Sequence, residues 1–321
     1  VTTVAELGEV ALVAALKKIF GPSTHPAVEL GIGDDAALLR SRHPLAWTID
    51  SVVEGVDWLP ASTPSKAIGH RAAAVNLSDL AAMGARPVAL LLALELPPHT
   101  PVRSVLAAAK GLAELARAHK ADVIGGDVGF SPGPQRWTVT ALGEIDAQPL
   151  LRTAARPGDD VWLVGDVGLA ALGLHALKLG NTADFTNLAV QAHLWPQPQI
   201  ELGKFMARSM GRVACIDISD GLGLDARRLA LASGVALALD LPRPDWLTPA
   251  AEAQWLSLGA DWRQACASGG DDYALLVATA PGSGFDSFAK KIGHVCAGPA
   301  GDVELAVGGV TMDPGGWLHG R

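Results

Sequence analysis

Aspartate recurs where apolar runs break at Gly or Ser, and this placement limits the chain more than any other feature. It occurs in GIGDD (Asp34, Asp35), TIDS (Asp50), NLSDL (Asp79), GGDVG (Asp127), DISDG (Asp217, Asp220) and GGDDY (Asp271, Asp272). Surface acids ordinarily sit on polar helix faces beside lysines. These acids interrupt apolar segments and read as the ends of strands. A carboxylate in such a place must be hydrogen-bonded, paired or metal-bound, or it neutralises. Basic partners are scarce, with 25 Lys and Arg in 321 residues. Divalent cations are the economical partners, and an all-oxygen ligand set selects Mg²⁺ or Mn²⁺. Any single Asp-Gly pair is also an ordinary turn signal, so the weight rests on the repetition.

The runs between these turns alternate in period, which indicates an α/β or α+β architecture. VRSVLAAAKGLAELARAHK (102–120) has helix composition with a basic end. ADVIGG reads as a short strand ending at Asp127, and RWTVTALGEI (136–145) alternates as a strand does. VAELGEVALVAALKKIF reads as one amphipathic helix. In the second half, Leu222–Ser233 reads as a helix with Gly234 as its exit. The stretch 180–199 reads as an irregular connection. A Pro-Gly turn in LRTAARPGDD (151–160) puts a domain boundary near Gln148–Arg152, giving domains 1–148 and 149–321.

Composition excludes several classes. The net charge of −8 argues against a broad nucleic-acid surface. Apolar residues make up 49% and charged ones 18%, which favours a large core or a subunit interface. PVALLLALELP (87–97) is too short for a membrane span. Cys215, Cys266 and Cys296 form no C-x-x-C pair and read as buried thiols of a cytoplasmic protein. No P-loop or paired-histidine zinc motif is present. GDVGLAALG (165–173) could open a helix toward phosphate, but ordinary strand-to-helix packing explains it as well. GIGDDA nominally fits the dinucleotide fingerprint, yet two carboxylates would repel a pyrophosphate unless a cation stood between.

In order along the chain, GIGDDAALL, TIDSVVEGVDW, NLSDLAAMGA, VIGGD, RTAARPGD, IDISDGL and SGGDDYALL closely resemble the thiamine-monophosphate kinase family, from about Glu29 to the GGWLHG tail. The resemblance implies a two-domain PurM-like fold: an N-terminal domain for ATP, Mg²⁺ and dimerisation, its sheet forming a barrel at a homodimer interface, and a C-terminal α/β domain. It implies transfer of a phosphoryl group from ATP to thiamine monophosphate. The family's Mg²⁺ ligands fall on Asp35, Thr48, Ile49 (through its carbonyl), Asp50, Asp79, Asp127 and Asp217, with a further ion on Asp220. ATP contacts fall on Gly126, Asp127, Arg152 and Ser219, and substrate contacts on Asp57, Asp271 and Trp317. Asp50, Asp127, Asp217 and Arg152 carry the chemistry on this reading, while Asp34 caps its own turn.

This chain departs from the family pattern in three places. Asp57 replaces the His of E-G-x-H-F, Asp271 replaces the Glu of G-G-E-D-Y, and Ile49 stands where Thr is common. The first two lie on the acceptor side and keep two alternatives open: a related ATP-dependent synthetase with another acceptor, and a non-catalytic nucleotide-binding homologue.

Overall fold

A computed structural model describes residues 1–180 and 188–317. The chain divides into two compact units, Val1–Leu80 with Ala85–Asp146, and Ala81–Gly84 with Ala147–Arg321.

The first unit contains α1 (Val4–Leu7), α2 (Glu9–Phe20), β1 (Val28–Leu30), β2 (Leu38–Leu39), β3 (Leu45–Val53), α3 (Ser65–Ala82), β4 (Arg86–Leu96), α4 (Val102–Ala118), β5 (Asp122–Phe130) and β6 (Arg136–Glu144). Residues 4–20 do not form one helix. Gly8 adopts φ 80° and separates α1 from α2, a conformation that only glycine reaches without strain.

Four strands pair in the order β3-β6-β4-β5. β4 and β5 run parallel, and the other pairs are antiparallel. Leu90, Leu92, Leu94 and Leu96 of β4, with Trp137, Val139 and Ala141 of β6, are buried in the core. The other face stays open: Trp47 is 68% exposed and Ile49 65%. Helices α3 and α4 approach through glycine. A Cβ on Gly69 would lie 1.8 Å from the Ala108 carbonyl oxygen, and one on Gly111 would lie 2.0 Å from that of Lys66.

The second unit contains β7 (Asp160–Val164), α5 (Leu169–Lys178), α6 (Leu188–Leu194), α7 (Ile200–Ser209), β8 (Val213–Ile218), α8 (Leu222–Ser233), β9 (Ala236–Leu241), α9 (Pro249–Ser257), α10 (Trp262–Ser268), β10 (Ala274–Thr279), β11 (Lys290–Cys296), β12 (Val303–Val307) and β13 (Val310–Met312). Its sheet has the order β13-β12-β9-β11-β7-β10-β8. Strands β8 and β10 are buried along their whole length. Helix α8 ends as its sequence indicates, with Gly234 left-handed at φ 69°.

The stretch 180–199 differs from expectation: residues 181–187 lie outside the described residues, but Leu188–Leu194 is helix α6. The tail residues 318–320 of GGWLHG also lie outside them. Among the described residues no helix is long and apolar enough to cross a membrane, and PVALLLALELP is mostly strand β4. Cys215 and Cys266 are buried, which pushes both thiols above their usual pKa, and Cys296 is half-buried.

Candidate active site

In the first unit the GIGDD turn links β1 to β2, and the Asp34 carboxylate accepts the Asp35 amide at 2.9 Å. That bond fixes the turn locally, and the Asp35 side chain is exposed. Thr48 and Asp50 are two residues apart on β3 and therefore share one face of the strand. The Thr48 hydroxyl donates to Asp79 Oδ2. Asp79 is thus not at a strand end, as its local sequence indicated, but inside helix α3, packed over β3. Asp50 and Asp127 are likewise mid-strand: β3 continues to Val53 and β5 to Phe130.

Gly126 precedes Asp127 for a steric reason. A Cβ there would lie 1.9 Å from the Leu92 carbonyl oxygen, closer than any side chain tolerates. Within this sheet Asp50 pairs with Val139 and Asp127 with Ala93, on opposite edge strands. Three inter-strand steps of about 4.8 Å separate those edges by ~14 Å. The sheet therefore holds Thr48, Asp50 and Asp79 at one edge and Asp127 at the other.

Asp57 does not stand free beside β3. Its carboxylate accepts the Val53 amide at 2.8 Å and closes the EGVDW turn. A carboxylate missed by the sequence reading, Asp122 at the start of β5, is 9% exposed. Its Oδ2 accepts the Ser23 hydroxyl at 2.7 Å and the Thr24 and His25 amides at 2.6 and 2.8 Å. Burial raises its pKa, but these bonds outweigh burial and hold it below the ordinary carboxylate value. One buried group thus anchors both the strand that carries Asp127 and the segment that leads into the Asp35 turn. Its only sequence signal is an aspartate opening an apolar strand.

In the second unit the two acidic turns are joined by backbone hydrogen bonds. The Asp271 amide donates to the Ser219 carbonyl and the Tyr273 amide to the Ile218 carbonyl, each at 2.8 Å. Both donors sit at positive φ, 69° for Asp271 and 52° for Tyr273. Such conformations cost of order 1–3 kcal/mol and persist only where surroundings enforce them. The Tyr273 hydroxyl donates to Asp271 Oδ1 at 3.0 Å, and His193 Nδ1 of α6 lies 3.8 Å from Oδ2. The Trp317 amide donates to the Asp220 carbonyl at 2.8 Å. Ser219, Asp220, Asp271 and Trp317 are therefore neighbours. Asp217, 5% exposed, lies on β8 just before them, opposite Leu275.

Two further carboxylates build this site without appearing in the expected set. Asp225, 1% exposed, opens α8, and its Oδ2 accepts the Ser219 and Asp220 amides at 3.0 and 2.9 Å. Arg228 Nη1 contacts Asp225 Oδ1 at 2.6 Å and Asp220 Oδ2 at 2.5 Å. Burial pushes the Asp225 pKa up against these favourable contacts. Asp272 caps α5, accepting the Gly168 amide at 2.8 Å and the Ala170 amide at 3.3 Å. Burial raises the Asp272 pKa well above the ordinary value, although both amides favour the charged form. The α5 N-terminus after GDVG is thus occupied by the protein's own carboxylate, as packing rather than phosphate binding requires.

Arg152 lies in a short 3₁₀ turn (Arg152–Ala154), whose backbone is tied down by the Ser233 hydroxyl bonded to the Arg152 carbonyl. The side chain is exposed and makes no ion pair among the described residues.

Among the described residues no three His, Cys, Asp or Glu side chains form a ready-made metal cage. Oxygen donors arranged as the Thr48–Asp79 pair with Asp50 nearby still fit Mg²⁺. That ion keeps waters and is usually held by one or two carboxylates together with substrate phosphates.

Comparison with known proteins places this arrangement in a family. Residues 33–145 match the family described as AIR synthase related protein, N-terminal domain. The chain is 37% identical over 314 residues to the thiamine-monophosphate kinase of Mycobacterium tuberculosis, covering 93% of this chain and 88% of the relative. It is 36% identical over 311 residues to that of Corynebacterium glutamicum, covering 91% and 87%. The crystal structure of thiamine-monophosphate kinase from Stenotrophomonas maltophilia K279a matches with TM-score 0.77 and 33% identity, over 95% of this chain and 98% of that one. A structure of AaThiL complexed with AMPPCP and TMP matches with TM-score 0.76 and 30% identity, over 99% of both. The hydrogenase maturation protein HypE in complex with ATP, at TM-score 0.77 and 18% identity over 99% and 98%, shares the fold. With identities above 30% across nine-tenths of its length and the acidic turns in place, the chain belongs to the thiamine-monophosphate kinase family.

Proposed function

We propose that this chain transfers the γ-phosphoryl group of ATP to the phosphate of thiamine monophosphate, yielding thiamine diphosphate and ADP. The observation that carries the reading is the joined pair of acidic turns in the second unit, where Ser219, Asp220, Asp271 and Trp317 are held together by backbone bonds. Full-length similarity to a structure in complex with AMPPCP and TMP supports it.

The chemistry suits the residues. An oxygen of the acceptor phosphate attacks the γ-phosphorus, a new P–O bond forms, and the bond to the β-phosphate oxygen breaks with its electron pair leaving on ADP. A phosphate monoester has a second pKa near ~6, so the acceptor is largely dianionic at neutral pH and needs no general base. This fits a site whose side chains are chiefly acids, with the arginines Arg152 and Arg228. The obstacle is repulsion between two polyanions, and bound Mg²⁺ supplies the charge that neutralises and aligns them.

On this reading Asp35, Thr48, the Ile49 carbonyl, Asp50, Asp79 and Asp127 of the first unit hold Mg²⁺, as do Asp217 and Asp220 of the second. Gly126 and Asp127 with Arg152 and Ser219 contact ATP, and the exposed Arg152 offers its planar fork to phosphate. Asp271 and Trp317 contact the thiamine moiety, where the indole face suits a cationic ring. Asp57 belongs to the acceptor side through the turn that it closes. The first unit also dimerises through the open face of its sheet, where Trp47 and Ile49 expose an apolar surface that a monomer would leave in water. The enzyme works in the cytoplasm, with ATP and thiamine monophosphate as its partners.

The test is formation of thiamine diphosphate by the purified chain with ATP and Mg²⁺, run beside a panel of other phosphorylated acceptors. Product from thiamine monophosphate alone is the expected result. Nucleotide binding with no acceptor phosphorylated would refute the assignment.

A further inference from the structure

Arg228 sits where a cation would sit. Its Nη1 lies 2.5 Å from Asp220 Oδ2 and 2.6 Å from Asp225 Oδ1, so one guanidinium nitrogen serves two carboxylates. The two acids are not equivalent. Asp225 is buried and committed on both oxygens, to Arg228 on one side and to the Ser219 and Asp220 amides on the other. Asp220 keeps 16% of its side chain exposed, and the Arg228 side chain is 39% exposed, so the guanidinium has a path into solvent.

We propose that Arg228 is a built-in counter-cation that competes with a divalent metal ion for Asp220, so that metal binding at this aspartate depends on a polyphosphate ligand. The inference rests on the assignment of Asp220 to metal made above. A metal ion on Asp220 Oδ2 and a guanidinium on the same oxygen exclude each other sterically, and like charges a few ångström apart repel strongly even at a protein surface. Arginine stays protonated across the accessible pH range. A bound nucleotide tips the balance because its phosphates supply extra ligands to the metal and an alternative partner for the freed guanidinium.

The experiment measures Mn²⁺ binding to the full chain by paramagnetic resonance of the free ion, without and with AMPPCP. In nucleotide-free protein, Arg228→Gln should bind Mn²⁺ on the order of tenfold more tightly than wild type or gain a site. Arg228→Lys, which keeps the charge, should stay close to wild type. The gain should vanish in Arg228→Gln combined with Asp220→Asn. Unchanged or weaker binding in Arg228→Gln, equal gains in the Gln and Lys variants, or a gain that survives Asp220→Asn would each overturn the proposal.

Should Arg228→Gln fail to fold, Asp220→Asn alone decides. It should match wild type without nucleotide and lose Mn²⁺ binding relative to wild type with AMPPCP, and a deficit already present without nucleotide overturns the idea. Product formation is not the readout, so failure of the kinase assignment remains distinguishable from failure of this competition.

Discussion

Removing the Asp122 carboxylate offers a direct test of how the first unit positions its acidic turns. Three short hydrogen bonds converge on one oxygen, Oδ2, from the Ser23 hydroxyl and the Thr24 and His25 amides, and the Thr24 hydroxyl adds a longer one at 3.5 Å. A hydrogen bond to a charged group contributes about 1.5–3 kcal/mol, and a buried donor left without a partner costs about 1–3 kcal/mol. Thr24 is exposed and Ser23 half-buried, so both recover water, whereas the His25 amide belongs to a residue that is itself buried. Asp122→Ala should therefore cost roughly 3 kcal/mol rather than the sum of three bonds. Asp122→Asn can place its amide oxygen where Oδ2 stood and should lose about half as much, the share due to charge.

The pH dependence has a definite sign. The folded pKa lies below the unfolded one, so this stabilisation is complete above the ordinary carboxylate range and disappears as pH falls through the folded value. The gap between the urea midpoints of wild type and Asp122→Asn should hold at neutral pH and narrow as pH falls below the ordinary carboxylate range. Amide exchange should quicken at Thr24 and His25, and the Mg²⁺ concentration for half-maximal activity should rise because the Asp35 turn follows this segment. An Asp122→Ala protein with a wild-type midpoint at pH 7 and unchanged exchange at His25 would refute the reasoning.

Asp50→Asn and Asp127→Asn should each lower turnover by a hundredfold or more, about 2.7 kcal/mol on the barrier, with circular dichroism and melting unchanged; near-wild-type rates at saturating Mg²⁺ would contradict the ligand assignment. Gly126→Ala should destabilise the β4–β5 pair by more than ~3 kcal/mol, because its Cβ would meet the Leu92 carbonyl oxygen at 1.9 Å; denaturant titration checks it, and a normal midpoint would count against the register described. Trp47→Asp should dissociate the proposed dimer, as read by sedimentation at micromolar concentration, while a mass unaffected by the change would exclude this face as the interface.

Much of this molecule was legible in its residues. The α4 and α8 helices, the β6 strand and the succession of acidic turns follow from local composition, because period, glycine exits and turn chemistry act over a few residues. The family resemblance rests on the same short motifs. Other features were invisible for a physical reason: they depend on partners distant in the chain. Asp79 reads as a turn residue, yet it lies inside α3 because burial of that helix overrides its Ser-Asp punctuation, and its partner Thr48 lies on β3. Asp122 finds Ser23 to His25 across the fold. Arg228 is an ordinary helix cation until α8 brings it onto Asp220. The sequence by itself determined which residues carry charge, where chain direction changes and which family grammar they follow. Only the tertiary structure decided which carboxylates are anchors, which caps and which remain available, because a buried charge is defined by whatever folding places beside it.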